Sequence, residues 1–392
     1  MDETRQLGLA LEPPAQSGRT VWVGSGEGRY AAFAPDPLPP RLAYGGSLAR
    51  GLSDADRALG ELKGLGRMLP NAELLLSPFL RKEAVLSSRI EGTQATITDV
   101  YVAQAAQRGA PAVPEDVLEV LNYVEAMRYG LARIETLPLS LRYIRELHER
   151  LMHGVRGAER APGEFRRSQN WIGPPGCLIA SATYVPPPPD DMLGALDAFE
   201  RYLHLEGEAD PPLVRLAFIH AQFEMIHPFL DGNGRIGRLL VSLLLVHWEL
   251  LSEPLLYLSA FFERERSAYY GHLLAISSHG AWREWVEFFL RGIREQSVDA
   301  AARARRLQDL QAAWRARVAV ARSSALTLRL IDLLFESPII TIPGAQKHLG
   351  VTYPAAHSHV ERLVRVGVLE PFGEGTYNKA FIASEIFDVI EN

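Results

Sequence analysis

Two long apolar stretches on either side of a short glycine-rich segment constrain this chain more than any other feature. Residues 212–226 are largely apolar and have no internal Gly or Pro, which is typical of a buried helix. A second apolar run begins near Arg235. Between the two, Pro228 disfavours helical geometry in the residue before it, and Gly232 and Gly234 permit a tight turn. The sequence therefore predicts two core helices joined by a loop that ends at a helix amino terminus.

The loop and the start of the second helix combine groups that suit a polyphosphate. The first turn of a helix has unpaired N–H groups and a partial positive charge, and glycine lets an anion approach the main chain. Arg235 and Arg238 lie about one helical turn apart, so both can donate to the same anion. Asp231 offers the carboxylate oxygen that Mg²⁺ prefers. His227 is the side chain of this segment that suits proton abstraction near neutral pH.

Simpler interpretations exist for each of these residues alone. The glycines could only form a turn, His227 could be a buried histidine with satisfied hydrogen bonds, and the arginines could be solvated. A zinc site of His220, Glu224 and His227 is another alternative, because His and Glu four residues apart can share one helix face. Zinc would leave the Gly-Asn-Gly turn and both arginines unexplained, so the sequence favours a phosphate site.

Residues 227–238 read His-Pro-Phe-Leu-Asp-Gly-Asn-Gly-Arg-Ile-Gly-Arg and match every fixed position of H-x-F-x-[D/E]-G-N-G-R-x-x-R. In this motif the chain resembles the Fic (Fic/Doc) family. The resemblance implies transfer of AMP from ATP to Ser, Thr or Tyr hydroxyls of target proteins, with His227 as general base, Asp231 as ligand of Mg²⁺ and Phe229 packed beneath the loop. The implied ATP-binding residues are Glu91, Gly232, Asn233, Gly234, Arg235, Ile236, Gly237, Arg238, Tyr269 and Tyr270.

A second, shorter motif lies before this core. Residues 87–92, at the end of a helix predicted from about residue 72, read Ser-Ser-Arg-Ile-Glu-Gly. One interpretation is an ordinary helix end, with Glu91 exposed and Gly92 as its cap. Beside the Fic motif, S-x-x-x-E-[G/N] is similar to the inhibitory helix of that family, which implies that Ser87 and Glu91 restrain the site. Glu91 would pair with Arg238 in the space that the γ-phosphate of ATP requires.

Two further segments are candidates for substrate contacts. An alternation of side chains predicts a short β-hairpin within residues 174–188, which resembles the Fic flap. Its edge, with Thr183 and Tyr184, could pair with the main chain of a target peptide. Tyr269 and Tyr270 could line an adenine pocket or belong to the core, and the sequence leaves both open. The alternating residues of the flap are Leu178, Ala180, Ala182 and Tyr184.

The fold predicted for the 392 residues is mainly α: a Fic-type helical core with a short β-hairpin flap, followed by a winged helix. The predicted regions are a loop-rich amino-terminal arm (1–45), amino-terminal helices that include the inhibitory helix (46–110), the Fic catalytic core (111–295), a connecting helix (296–324) and a winged-helix domain (325–392). The last region is predicted from the order helix, helix, helix, hairpin. Its third helix is only mildly basic, so DNA binding, protein docking and homodimer formation all stay open.

Charge, cysteine content and hydrophobicity limit the classes of protein to which this chain can belong. A net charge of −6 argues against general coating of nucleic acid, and the single cysteine cannot form an intrachain disulfide. The amino terminus lacks a signal-peptide pattern and the apolar runs are too short to span a bilayer, so we expect a cytoplasmic protein without membrane association.

The resulting prediction is a self-inhibited protein adenylyltransferase that uses ATP and Mg²⁺, modifies a protein substrate and could modify itself. Two alternatives stay open. The same site could remove AMP, with Glu91 positioning a water, or the protein could be a transcriptional regulator whose Fic core acts as a sensor.

Overall fold

The computed structural model describes residues 17–68, 72–105, 112–205, 210–320, 325–373 and 379–391. It is mainly α-helical, as the sequence predicted. Within these ranges no helix combines the length and the apolar character that a membrane span needs. The first part of the predicted amino-terminal arm lies outside the described residues.

A β-hairpin forms the described end of that arm. Its strands are β1 (Gly18–Val23) and β2 (Tyr30–Pro35), which pair in antiparallel register. Phe33 donates its backbone N–H to the carbonyl of Val185 at 2.9 Å, so the hairpin is tied to the end of the predicted flap. The loop-rich prediction for residues 1–45 allowed a short strand at residues 20–23 and a hairpin turn at residues 24–28, and β1 agrees with it. The returning strand β2 was not predicted, because its sequence lacks a strong alternation of polar and apolar residues.

The helices of the core follow in chain order and surround two central ones. The first five are α1 (Gly46–Met68), α2 (Ala72–Ile90), α3 (Ile97–Ala105), α4 (Glu115–Arg133) and α5 (Leu141–Leu151). The next six are α6 (Pro189–Leu203), α7 (Pro212–Ile226), α8 (Asn233–His247), α9 (Ser259–Arg264), α10 (Arg266–His279) and α11 (Trp282–Val320). Nearly every side chain of α7 and α8 is buried, which explains why both sequences are apolar on all faces.

Helix α11 continues from the core into the carboxy-terminal region. It runs without a break from Trp282 to Val320 and packs along α1. The predicted connecting helix is therefore not a separate element, since nothing interrupts the chain at residue 296. Near its end, the buried Trp314 packs on Phe335 with ring centroids 5.2 Å apart.

The carboxy-terminal region combines helices with a small sheet. Its elements are α12 (Ala325–Glu336), β3 (Ile339–Thr341), α13 (Ile342–Leu349), α14 (Tyr353–Arg365), β4 (Glu370–Phe372), β5 (Ala380–Ile382) and α15 (Ser384–Glu391). The strands pair antiparallel in the order β3-β5-β4. Three helices and a hairpin were expected here, whereas β3 and α15 were not. The winged helix stays a prediction.

This region packs directly on helix α2. Helix α12 contacts α2, and the last carbonyls of α15 accept hydrogen bonds from two core side chains. Lys82 donates to the carbonyl of Ile390 at 2.6 Å, and Arg303 donates to the carbonyls of Val389 and Ile390 at 2.7 and 2.9 Å. Orphan carbonyls at a helix end need such donors. The core and the carboxy-terminal region therefore share α2 and α11.

Candidate active site

The predicted loop leaves α7 through a left-handed residue. His227 has φ 48° and ψ 60°, and its N–H donates to the carbonyl of Phe223 at 3.0 Å. Gly232, with φ 75°, precedes the first residue of α8. A Cβ atom on Gly232 would lie 2.9 Å from the sulfur of Met152, so this position needs glycine for its backbone and for its space. The loop thus ends at a helix amino terminus, as predicted.

Asn233 and Phe229 hold the loop closed. The side chain of Asn233 accepts from the N–H of Phe229 at 2.8 Å and donates to its carbonyl at 2.9 Å. The ring of Phe229 is fully buried and stacks on His148, with centroids 3.7 Å apart. The side chain of Asn233 is therefore occupied by the loop itself, and only its backbone N–H is left for an anion.

His148 is a positioning residue that sequence reasoning missed. Its Nδ1 accepts from the N–H of Gly163 at 2.9 Å, so the ring proton is on Nε2, which donates to the carbonyl of Asp231 at 3.0 Å. Burial lowers the pKa of His148 to about 4, which keeps the ring neutral. His148 lies in the last turn of α5, and no local signal links that turn to the loop.

Two more missed residues fix the backbone at His227. Arg166 donates to the carbonyl of His227 at 3.0 Å and to that of Pro187 at 2.6 Å. Asn170 donates to the carbonyls of His227 and Phe229 at 3.2 and 2.8 Å. Both lie in the irregular segment before the predicted flap, so that segment holds the backbone of His227 as well as that of Phe229.

The imidazole of His227 is poised to accept a proton. Its Nδ1 lies 3.2 Å from the carbonyl of Glu224, which can only accept, so Nδ1 carries the ring hydrogen and Nε2 keeps a lone pair. Burial lowers the pKa of His227 to about 4, against the opposing effect of that hydrogen bond. The ring is therefore neutral at physiological pH, and its Nε2 makes no hydrogen bond within the described residues.

Asp231 presents a partly exposed carboxylate at the same loop. One oxygen accepts from the N–H of Gly232 at 2.7 Å, and the other lies 3.4 Å from Arg160. About a third of the side chain, 32%, is exposed. In the described parts of the chain no three His, Cys, Asp or Glu side chains form a metal-binding group. A cation here would have one protein carboxylate and would take further ligands from water and phosphate, as Mg²⁺ commonly does.

Arg235 lies deep beneath the loop and already has a carboxylate partner. Its guanidinium is 3.2 Å from Glu119 on α4, and both side chains are almost fully buried. Thr93 also donates to Glu119, at 2.8 Å. Sequence reasoning missed Glu119, because nothing in the pattern of α4 indicates which buried position faces the motif. The polyphosphate role of Arg235 stays a prediction.

Arg238, Glu91 and Ser87 form the contact that the shorter motif predicted. Arg238 donates to Glu91 at 2.6 Å, and it donates to the hydroxyl and carbonyl of Ser87 at 2.9 Å each. Burial by itself would raise the pKa of Glu91, but Arg238 more than offsets this and holds it below its usual range. A Cβ atom on Gly234 would lie 2.2 Å from the same carboxylate. Glu91 is therefore ionised and rests against the glycines of the loop.

Comparison with known proteins finds family models that match two parts of this chain. Residues 49–132 match the Fic/DOC family N-terminal region, and residues 138–245 match the Fic/DOC family. The chain carries a Fic/DOC domain. The first of these matches ends on α4 and the second ends on α8, so the pair includes both His227 and Glu91.

Curated relatives and a solved structure agree with this Fic domain. Protein adenylyltransferase Fic of Drosophila persimilis is 34% identical over 183 residues, which is 46% of this chain and 32% of the relative. The protein of that name from Drosophila ananassae is 33% identical over 183 residues, which is 46% of this chain and 33% of the relative. The chain thus spans about a third of the length of these relatives. A crystal structure of a Fic family protein from Desulfovibrio desulfuricans G20 shares the fold at 20% identity, with a TM-score of 0.55, covering 88% of this chain and 98% of that one.

The Fic flap is less regular than its sequence predicted. Ile172 and Tyr184 form one antiparallel bridge, while residues 179–181 form a 3-10 turn. The alternation of residues 178–184 was therefore a wrong guide to strand in its first half. Thr183 lies within the bridge and donates its N–H to Ile172 at 2.8 Å. The hydroxyl of Tyr184 donates to the carbonyl of Met225 at 2.7 Å and anchors the flap on α7.

Some of the remaining predicted site residues lie in the core, and others lie at the surface. Ile236 is fully buried, and a Cβ atom on Gly237 would lie 2.4 Å from Glu224, so both face the interior rather than the loop. The two tyrosines also separate. Tyr269 is buried and its hydroxyl lies 2.8 Å from Nε2 of His220, which places it in the core and leaves no zinc group among the described residues. Tyr270 is 41% exposed and lines a cleft.

That cleft lies between the flap, α7 and α10 and has a volume of about 420 Å³. Its walls are mostly apolar and include Ile172, Thr183, Tyr184, Met225, Tyr270 and Leu274. Glu224, three residues before His227 on α7, also lines the cleft. A concave apolar site with few polar groups is typical of small-molecule binding, and its size suits the base and sugar of a nucleotide.

Proposed function

We propose that this chain is a protein adenylyltransferase that its own Glu91 restrains. It takes ATP and transfers AMP to a Ser, Thr or Tyr hydroxyl of a target protein and of itself. The neutral imidazole of His227, with its proton fixed on Nδ1, is the main support, because it leaves Nε2 free to act as a base beside the amino terminus of α8. The name of the curated relatives, protein adenylyltransferase, supports the same class.

In the proposed reaction, Nε2 of His227 removes the proton of the target hydroxyl, and the hydroxyl oxygen attacks the α-phosphorus of ATP. A new oxygen–phosphorus bond forms, and the bond from the α-phosphorus to the oxygen that bridges to the β-phosphorus breaks. Pyrophosphate leaves, and the proton passes from His227 to it or to water. The unpaired N–H groups at the start of α8 stabilise the charge that develops on the phosphates.

Asp231 would hold Mg²⁺ in this site. Its carboxylate is partly exposed and opens on the loop, which fits a cation that shares its other ligands with phosphate and water. When bound, Mg²⁺ supplies positive charge that offsets the charge of the polyphosphate.

The proposed restraint follows from competition for Arg238. Glu91 takes one guanidinium nitrogen at 2.6 Å, and Ser87 takes the remaining donors on that side. A γ-phosphate that needed the same guanidinium would meet the carboxylate of Glu91, which is ionised and lies against Gly234. Like charges at such a distance repel, so ATP would bind in a pose unsuited to transfer.

The test is transfer of labelled AMP from ATP to the protein itself and to proteins of a cell lysate. His227→Ala should abolish incorporation while ATP binding persists, because the imidazole acts on the hydroxyl and not on the phosphates. Transfer that survives His227→Ala would remove the base from the mechanism. Loss of label from an already modified protein, faster with the wild type than with Glu91→Gly, would instead favour removal of AMP.

A further inference from the structure

The cleft beside the flap contains a carboxyl group with no visible partner. Glu224 lies on α7, three residues before His227, and its side chain makes no hydrogen bond within the described residues. One carboxyl oxygen is buried and lies so close to α8 that a Cβ atom on Gly237 would come within 2.4 Å of it. A buried polar atom without a partner is costly, so such a group in a native protein calls for a ligand or a functional reason.

The carboxyl group of Glu224 is kept in its acid form. Burial raises its pKa to about 8, and Arg238 opposes this while Glu91 adds to it. The hydroxyls of Tyr269 and Tyr270 also face it and are uncharged, because burial raises the pKa of both. At neutral pH the group therefore has one O–H donor and one acceptor oxygen, which an ionised glutamate lacks.

Adenine offers the complementary pair of groups. Its 6-amino group donates, and the ring nitrogen beside that group accepts. The oxygen of Glu224 that is not buried against α8 can accept from the 6-amino group, and a turn of the carboxyl group would bring its O–H to the ring nitrogen. Glu224 lines the apolar cleft and lies against Gly237, about one turn beyond the start of α8, so a nucleotide with its phosphates at that start would bring its base to this side chain.

We infer that Glu224 binds the adenine of ATP in this cleft and selects it over purines that lack the 6-amino group, an inference that rests on the proposed adenylyltransferase function. Tyr270 and Leu274 provide the apolar walls. Glu224 thus acts as a specificity residue on the base, while His227 acts on the hydroxyl.

The test compares the binding of two nucleotides to the full chain by calorimetry. ADP is used because it lacks the γ-phosphate that Glu91 would oppose, and purine riboside 5′-diphosphate is the same molecule without the amino group. The wild type should bind ADP roughly tenfold tighter than the analogue, since the analogue lacks the hydrogen bond from the 6-amino group and leaves the acceptor oxygen of Glu224 without a partner. Glu224→Gln keeps a donor and an acceptor and should keep this preference.

Glu224→Met has a similar size and no hydrogen-bonding group, so it should bind both nucleotides equally. Its affinity for pyrophosphate should equal that of the wild type, which shows that the phosphate site is intact. Removing an unpartnered buried carboxyl should also leave thermal stability unchanged or higher, so failure to fold is not expected.

A preference for ADP that survives in Glu224→Met would overturn the inference and leave the adenylyltransferase proposal standing. A wild type that binds neither nucleotide nor pyrophosphate would overturn both. Raising the pH from 7 to 9 provides a further check, because ionisation of Glu224 removes its donor. The ring nitrogen of both nucleotides uses that donor, so the affinity for both should fall in the wild type and stay constant in Glu224→Gln, whose amide does not titrate.

Discussion

The two arginines near the start of α8, Arg235 and Arg238, each pair with a glutamate, and the two glutamates differ in exposure. Arg235 and Glu119 are 3% and 1% exposed, and Glu119 also accepts from Thr93. Arg238 is 2% exposed, whereas Glu91 is 32% exposed and has no other hydrogen bond from its side chain among the described residues. When both side chains of an ion pair are buried, breaking the pair is costly, so its role is structural. A carboxylate that is partly exposed to solvent can be displaced from its partner more easily. We call Arg235 with Glu119 the deep pair and Arg238 with Glu91 the shallow pair, and we expect only the shallow pair to give way to a ligand.

The largest expected effect is a loss of stability, and it should differ between the variants Glu119→Ala and Glu91→Ala. Glu119→Ala leaves Arg235 charged and buried without its partner, which typically costs about 3–5 kcal/mol. Glu91→Ala also takes the carboxylate from a buried arginine, but Arg238 keeps both hydrogen bonds to Ser87 and solvent can reach the place of Glu91, so the loss in the free energy of unfolding should be smaller than in Glu119→Ala. Urea unfolding of both variants measures this, and Glu119→Gln is the control that keeps the hydrogen bond from Thr93. Equal losses in both alanine variants would remove the distinction between deep and shallow pairs.

The second effect is on activity and has the opposite direction to most changes at an active site. Glu91→Gly should raise AMP transfer by roughly tenfold, because it frees Arg238 for the γ-phosphate. A charge-assisted pair in a dry site could give more, but the exposed third of Glu91 means that solvent screens this one. Self-modification with labelled ATP measures the gain.

The double variant Glu91→Gly with Arg238→Ala is the matched control for that gain. It should lose the increase, since the freed arginine is what orients ATP. Activity that rises equally with and without Arg238 would mean that Glu91 acts by some route other than this pair.

Local signals explain why much of the site could be predicted. Helix α7 ends where Pro228 predicts, and α8 begins two residues before the expected Arg235, because proline and glycine act on their own neighbours. The contact of Glu91 with Arg238 was predicted from two motifs that lie far apart in the chain, at residues 87–92 and 227–238. No pattern within a single helix could have given it.

The partners brought in from other helices could not be predicted. Glu119 on α4, His148 on α5 and the unpartnered Glu224 all occupy positions that look like ordinary helix residues, and only tertiary packing decides what they face. The same holds for the carboxy-terminal region. It was predicted as a separate unit, yet Lys82 and Arg303 bind its last helix to the core.

The smallest expected effect is that of pH: the rate of AMP transfer should not change near pH 6.5, where a histidine base usually causes a change. Burial raises the pKa of Glu91, but Arg238 lowers it by more, so the pKa lies below the usual 4.5. The ion pair of Glu91 with Arg238 therefore persists at higher pH and is lost only as the pH falls through this lowered pKa. Burial lowers the pKa of His227 to about 4, so the base stays neutral over the same range. Glu91 acts to raise the pKa of His227, and its removal can only lower it further.

The ratio of transfer rates between Glu91→Gly and the wild type should therefore be constant from about pH 5.5 to pH 8, and neither rate should fall near pH 6.5, where an ordinary histidine becomes protonated. Rates measured at saturating ATP across this range test both statements. A ratio that drops toward one as pH falls to 5.5 would show that Glu91 takes up a proton more readily than its pairing with Arg238 allows, and a shared decline near pH 6.5 would show that His227 is more exposed to solvent during turnover than its buried position implies.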